Sequence, residues 1–148
     1  MTPYASIAEA VTILSEVMNT DAWDGATNAD RLKALVTATR TIDTLNFLGS
    51  KTSESQELQF PRSPDTLIPD AIKLACCLIA NRLLDGIDPE MEYENLRLVS
   101  QGYANVRSTY SPTSIPDHVT HGIVSIEAWR MLLPYLRSNQ TIRMNRVS

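Results

Sequence analysis

The stretch that decides the fold is Pro69-Asp70-Ala71-Ile72-Lys73-Leu74-Ala75-Cys76-Cys77-Leu78-Ile79-Ala80-Asn81-Arg82-Leu83-Leu84-Asp85. Pro69 suits the first position of a helix, where a missing N–H costs nothing. The spacing predicts a helix over about 69–85. Ile72, Leu74, Ala75, Cys76, Leu78, Ile79, Leu83 and Leu84 surround much of its circumference. A helix apolar on that many sides is buried against several neighbours, so this one forms the centre of the fold. Lys73, Asn81 and Arg82 interrupt Ala71–Leu84, which leaves it too short and too polar to cross a bilayer.

Working outward, Ile7, Ala10, Val11, Leu14 and Val17 repeat on one helix face. Ser6 followed by Glu9 forms a capping box, and the expected helix covers about 6–18. Asn19–Gly25 reads as a turn. Leu32, Leu35, Val36, Thr39, Ile42 and Leu45 predict a second helix over about 27–48, opened by Thr27 and Asp30 and closed at Gly49. Residues 50–68 form a loop, because Pro61, Pro64 and Pro69 forbid a helix. Leu58, Phe60 and Leu67 give that loop apolar anchors.

Beyond the central helix, Asp85, Asp88, Glu90, Glu92 and Glu94 read as a solvated acidic loop. In 96–110, Ala104, Val106, Ser108 and Tyr110 alternate with Tyr103, Asn105, Arg107 and Thr109. This is a strand period, and Leu96–Val99 could pair with it as a hairpin. A lone hairpin is marginal and must pack on something. A last helix covers about 124–136, with Ile126, Trp129, Leu132, Leu133 and Leu136 near one face and Pro134 at its end. The expected fold is mainly α: a small bundle of three to five helices, a short β-hairpin or arm near 96–110, and an extended C-terminal tail. Residues 1–136 form the helical domain and 137–148 the basic tail.

The chain has 148 residues, with 43% apolar and 20% charged, enough for one domain with its own core. The net charge is −4 and the pI about 5.1, which argues against a broad DNA-gripping face. Arg137, Arg143 and Arg146, with no acid among them, make residues 137–148 formally +3 and leave −7 for residues 1–136. Adjacent Cys76 and Cys77 are the only thiols; they read as small hydrophobes in a reducing compartment. Residues 1–20 show no signal-peptide pattern.

No phosphate loop or GxSxG elbow occurs, and five glycines are few for a phosphate cradle. His118 and His121 are too few ligands for a zinc site and read as loop residues. The expectation is a protein that is not an enzyme, with no cofactor and no metal. Trp23 and Trp129, at helix edges, are core residues or interface anchors.

One ordered set of residues goes further. Trp23, then Arg31–Asp43 (an Ala-Leu-x-x-Ala-Thr helix), Gly49, and Gln56-Glu57-Leu58-Gln59-Phe60-Pro61-Arg62 resemble the head-to-tail connector (adaptor, or head completion) proteins of tailed bacteriophages. Pro69–Ala80, Gly102–Tyr110 and Pro134-Tyr135-Leu136 are similar to later segments of that family. Phe60 departs from the pattern, where Trp is commoner.

The resemblance implies a structural virion protein: a dodecameric ring in the neck, assembled in the host cytoplasm. The ring would join the portal protein to the tail, or to a tail-terminator or stopper protein. It implies a role in genome packaging and ejection, with genomic DNA crossing the lumen without specific binding and no membrane contact. Under it, Arg137, Thr141, Ile142, Arg143, Met144, Asn145, Arg146 and Val147 are the expected portal-binding residues, as an extended strand with one apolar and one basic edge. Trp23, Arg40, Phe60, Pro61, Arg62, Tyr103, Arg107 and Tyr110 are the candidates for the interface between subunits. Arg62 is expected to need a carboxylate or carbonyl partner if it holds the loop. The alternative is a DnaT-like nucleic-acid-binding module that uses the tail arginines, with Tyr103 and Tyr110 as a stacking surface.

Overall fold

The computed structural model describes residues 1–106 and 115–137, with side chains described except at residues 100–106. The chain is mainly helical. Its elements are α1 (Ile7–Leu14), α2 (Asp21–Gly25), α3 (Asn28–Asp43), α4 (Asp70–Leu84), α5 (Pro89–Val106), α6 (Asp117–Thr120) and α7 (Ile126–Leu132), with a 3-10 turn at Leu133–Tyr135. Among the described residues there is no strand, only the isolated bridges Phe47–Leu136 and Lys51–Arg62.

The Ser6–Glu9 capping box opens α1: the Ser6 hydroxyl accepts from the Glu9 N–H at 3.1 Å, and the Glu9 carboxylate from the Ser6 N–H at 3.2 Å. The helix stops at Leu14, short of the expected 18. The Ser15 hydroxyl bonds back to the Thr12 carbonyl, and tighter i→i−3 bonds at Glu16 and Val17 unwind the chain into a turn. Thr27 caps α3 through the Asp30 N–H. That helix ends at Asp43 rather than 48, where Thr44 bonds the Thr41 carbonyl with both hydroxyl and N–H. The early stop frees Phe47 to turn inward, and Gly49 takes its positive φ of 76° inside the loop rather than at a helix end.

Helix α4 matches its expected span and lies at the centre. Every residue from Ala75 to Asn81 is buried, and Ile72 with them. Helices α1, α2, α3 and α7 all pack on it. Its one polar core residue, Asn81, donates to the Asn19 carbonyl at 3.1 Å and so fixes the turn before α2. Each Ile or Leu removed from water here contributes about 1.5–3 kcal/mol.

The expected hairpin near 96–110 does not form across 96–106, which belong to α5; residues 107–110 lie outside the described residues. The acidic loop is likewise replaced from Pro89 onward by the start of that helix. Asp88 accepts the Glu90 N–H at 3.0 Å, Pro89 takes the first position, and Glu90 and Glu92 favour the positive end of the helix dipole. The strand alternation rested on Ala and Ser, which mark no face strongly. Tyr93, Leu96 and Val99 sit at helical spacing instead.

Ser125 caps α7, and Pro134 sits in the 3-10 turn that ends it. The chain then runs antiparallel to the end of the 44–48 segment. The Leu48 N–H donates to the Tyr135 carbonyl at 2.8 Å and the Arg137 N–H to the Asn46 carbonyl at 3.0 Å. The extended tail expected after this point lies, from residue 138, outside the described residues.

Replacing Ile79 with alanine should lower stability by about 2–5 kcal/mol. The same change at Leu67, which is 80% exposed, should leave the thermal melt within about 0.5 kcal/mol of the parent.

Candidate functional site

The loop after α3 is built on its own polar side chains. The Gln56 amide donates to the Leu58 and Pro61 carbonyls at 2.8 and 2.9 Å and accepts the Ser53 N–H at 3.0 Å. Arg62 bridges the two limbs: Nε donates to the Leu48 carbonyl and Nη2 to the Gly49 carbonyl, both at 2.6 Å. Its Nη1 donates to the Gln59 carbonyl and side chain at 3.2 and 2.9 Å. Charge-assisted bonds of this kind are worth about 1.5–3 kcal/mol. Phe60, 2% exposed, meets Tyr4, Phe47 and Tyr135 edge to face, with ring centroids 6.0, 4.7 and 5.6 Å away. Phe60 and Arg62 are thus committed to their own chain, and Pro61 is half-buried beside them.

Beneath this loop, the Tyr4 hydroxyl donates to Asp43 and accepts the Phe60 N–H. Burial raises the Asp43 carboxyl above the usual range and raises the Tyr4 hydroxyl well above its own. Burial also raises the Cys76 thiol and pushes Cys77 up to about 12, so neither is an activated nucleophile. Glu9 is held below the usual carboxylate range by its hydrogen bond from Lys73.

The remaining candidates are dispersed. Trp23 is buried at 1% exposure beneath the Arg31 guanidinium, 5.0 Å from the ring centroid. Arg40 is exposed on α3. The side chain of Tyr103, together with Arg107, Tyr110, Thr141, Ile142, Arg143, Met144, Asn145, Arg146 and Val147, lies outside the described residues. Arg137 is exposed, and its Nε donates to the Phe47 carbonyl at 3.1 Å. His118 bonds the Ile123 carbonyl through Nδ1. Among the described residues no three His, Cys, Asp or Glu side chains form a metal-binding group.

Charge is unevenly placed along the chain. Asp85, Asp88, Glu90, Glu92 and Glu94 sit at the α4–α5 corner. A groove of about 440 Å³ beside them is lined by Thr41, Pro89, Glu90, Tyr93, Glu94, Val119, Thr120 and Gly122. Phosphate would be repelled there. Residues 128–148 instead contain Arg130, Arg137, Arg143 and Arg146 and no acid. Where that segment begins, the exposed His121 ring stacks on Trp129, with centroids 5.4 Å apart and planes 24° from parallel. Exposed Arg130, Ile126 and Leu133 share the outer side of the same helix and turn. Sequence reasoning missed this pair. Eight residues and a change of direction separate the two rings, and no local pattern encodes the contact.

In the folded chain Tyr4, Cys76 and Cys77 keep protons that the unfolded chain releases above their ordinary values of 10.0, 9.0 and 9.0. Their contribution to stability is therefore complete below about pH 9 and is lost as the pH rises. The melting temperature should fall between pH 8 and pH 10.5, and less steeply for Cys77→Ala. An equally steep fall in the variant would contradict the assignment.

A model of the family described as "Putative DnaT-like ssDNA binding protein" matches residues 2–147. No curated protein and no solved structure matches the chain. The family match overturns the connector resemblance, because it is not to a head-to-tail connector family. The ring, the portal and tail partners, and the passage of DNA without specific binding are corrected with it. Of the residues that carried the resemblance, Gln56 and Arg62 hold a loop of their own chain together and so report a fold rather than a partner.

Proposed function

The chain belongs to the DnaT-like ssDNA binding family, and from that premise we propose that it binds single-stranded DNA through its acid-free C-terminal end. The observation that carries this reading is the placement of Arg130, Arg137, Arg143 and Arg146 in a segment without a carboxylate. That segment is tied at Arg137 to Asn46 and Phe47. Arginines neutralise backbone phosphates and release condensed counterions. The exposed His121 face, backed by Trp129, offers a base a surface on which to stack, a contact that tolerates any sequence. The net charge of −4 is no obstacle when the arginines lie together in a stretch that holds none of the chain's 17 acids. Arg130 follows Trp129 directly on α7. This is a binding role: the buried, raised thiols and the dispersed histidines offer no reacting group, and we read the protein as not an enzyme.

Fluorescence anisotropy with a labelled oligothymidylate tests the proposal. Affinity should fall as salt rises, with a log–log slope of about −2 to −3 for three or four phosphate contacts at about −0.7 each. Arg143→Ala with Arg146→Ala should reduce the slope by about 1.4. His121→Ala should weaken binding by about 1 kcal/mol with little change of slope. Absence of binding at low salt, or affinity indifferent to the arginines, would overturn the reading.

A further inference from the structure

Helix α5 carries an uncovered apolar side. Met91, Leu98 and Val99 are 57%, 58% and 53% exposed. Met91 and Leu98 stand seven residues apart, two helical turns, and so share a face. On the flank of this helix lies the groove that Glu90, Tyr93 and Glu94 form with Thr41, Val119 and Thr120. Glu94 pairs with Arg97 at 3.1 Å, while Glu90 has no basic partner among the described residues. The Tyr93 ring is half-buried in the wall. Carboxylates beside an aromatic ring suit a guanidinium, and the apolar stripe suits aliphatic side chains alternating with it.

The chain itself contains one segment of that chemistry. Residues 138–148 carry Arg143 and Arg146, interleaved with Ile142, Met144 and Val147, and no acid. The segment also starts close by. Arg137 is held at Asn46, five residues after Thr41 on the groove wall, so at most about 19 Å of chain separates them. The eleven residues beyond Arg137 extend to about 36 Å. A tethered ligand of this reach acts at a high effective concentration.

We propose that residues 138–148 dock in the α5–α6 groove of their own chain, with arginine against Glu90 and Tyr93 and apolar residues along Met91 and Leu98. Resting on the ssDNA reading, this makes the acidic groove a competitor of DNA for the same arginines. DNA binds when it displaces the tail, and neutralising the groove tightens DNA binding.

The test uses the full chain with Ser148→Cys carrying a nitroxide; the native Cys76 and Cys77 are fully buried and stay unlabelled. Amide signals of Glu90–Glu94 should be strongly broadened at low salt. The broadening should disappear at high salt and in the Glu90→Gln/Glu94→Gln variant. Broadening that is absent, or that persists in the variant, overturns the proposal. A mixture of spin-labelled unenriched chain with unlabelled ¹⁵N chain separates the two sources. Broadening there means that a second copy supplies the tail and overturns docking within one chain. Oligothymidylate should relieve the broadening. Docking that responds to salt and to the variant, in a chain that binds no oligonucleotide, leaves the docking standing and sinks the ssDNA reading instead.

Discussion

Helix α4 is buried from Ala75 through Asn81 with no solvent-facing turn, and the rest of the architecture follows from the need to keep it covered. Helices α1, α2, α3 and α7 each contribute an apolar face to it. Helix α7 therefore has to return from the far end of the sequence and lie beside α4. That return brings Tyr135, Leu136 and Arg137 against Asn46, Phe47 and Leu48. The burial of one helix thus fixes where the basic C-terminal end leaves the body.

The loop at 47–64 is the second consequence. It closes over the aromatic cluster of Tyr4, Phe47, Phe60 and Tyr135, and its irregular backbone leaves carbonyls that helix or strand pairing does not satisfy. Gln56 and Arg62 supply the donors. With Arg62 engaged on backbone and Lys73 paired to Glu9, few cations of the body stay free for a polyanion. Those of the C-terminal end, together with exposed Lys33 and Arg40 on α3 and Arg82 on α4, remain among the described residues. The arginines of residues 128–148, with no acid among them, give a chain of net negative charge one stretch of sequence of the opposite sign.

Much of this could be read in the sequence, for identifiable reasons. The span of α4 was legible because its apolar residues cover every side, and the start of α1 because Ser6 and Glu9 make a local motif. The end of α3 was not legible, since Thr44 and the bridge of Phe47 to Leu136 stop it, and the second of these depends on a residue far along the chain. Helix α5 was misread because Ala104 and Ser108 alternate without marking a face, while the Asp88–Glu90 cap and the spacing of Tyr93, Leu96 and Val99 carried the better signal. The partner was misread for a related reason. The Gln56–Arg62 motif serves its own backbone, so its spacing is informative about a loop and silent about what the protein binds. The His121–Trp129 stack, part of the proposed site, depends on tertiary placement alone.

The most direct test of the central claim is to map where single-stranded DNA touches the protein. An oligonucleotide bearing 5-iodouracil can be photocrosslinked to the full chain and the adducts located by peptide mass spectrometry. The account predicts adducts at His121, at Trp129 and within residues 128–148, and none at Glu90–Glu94. Adducts concentrated on the α4–α5 corner, or on α3 with none in the C-terminal end, would contradict it.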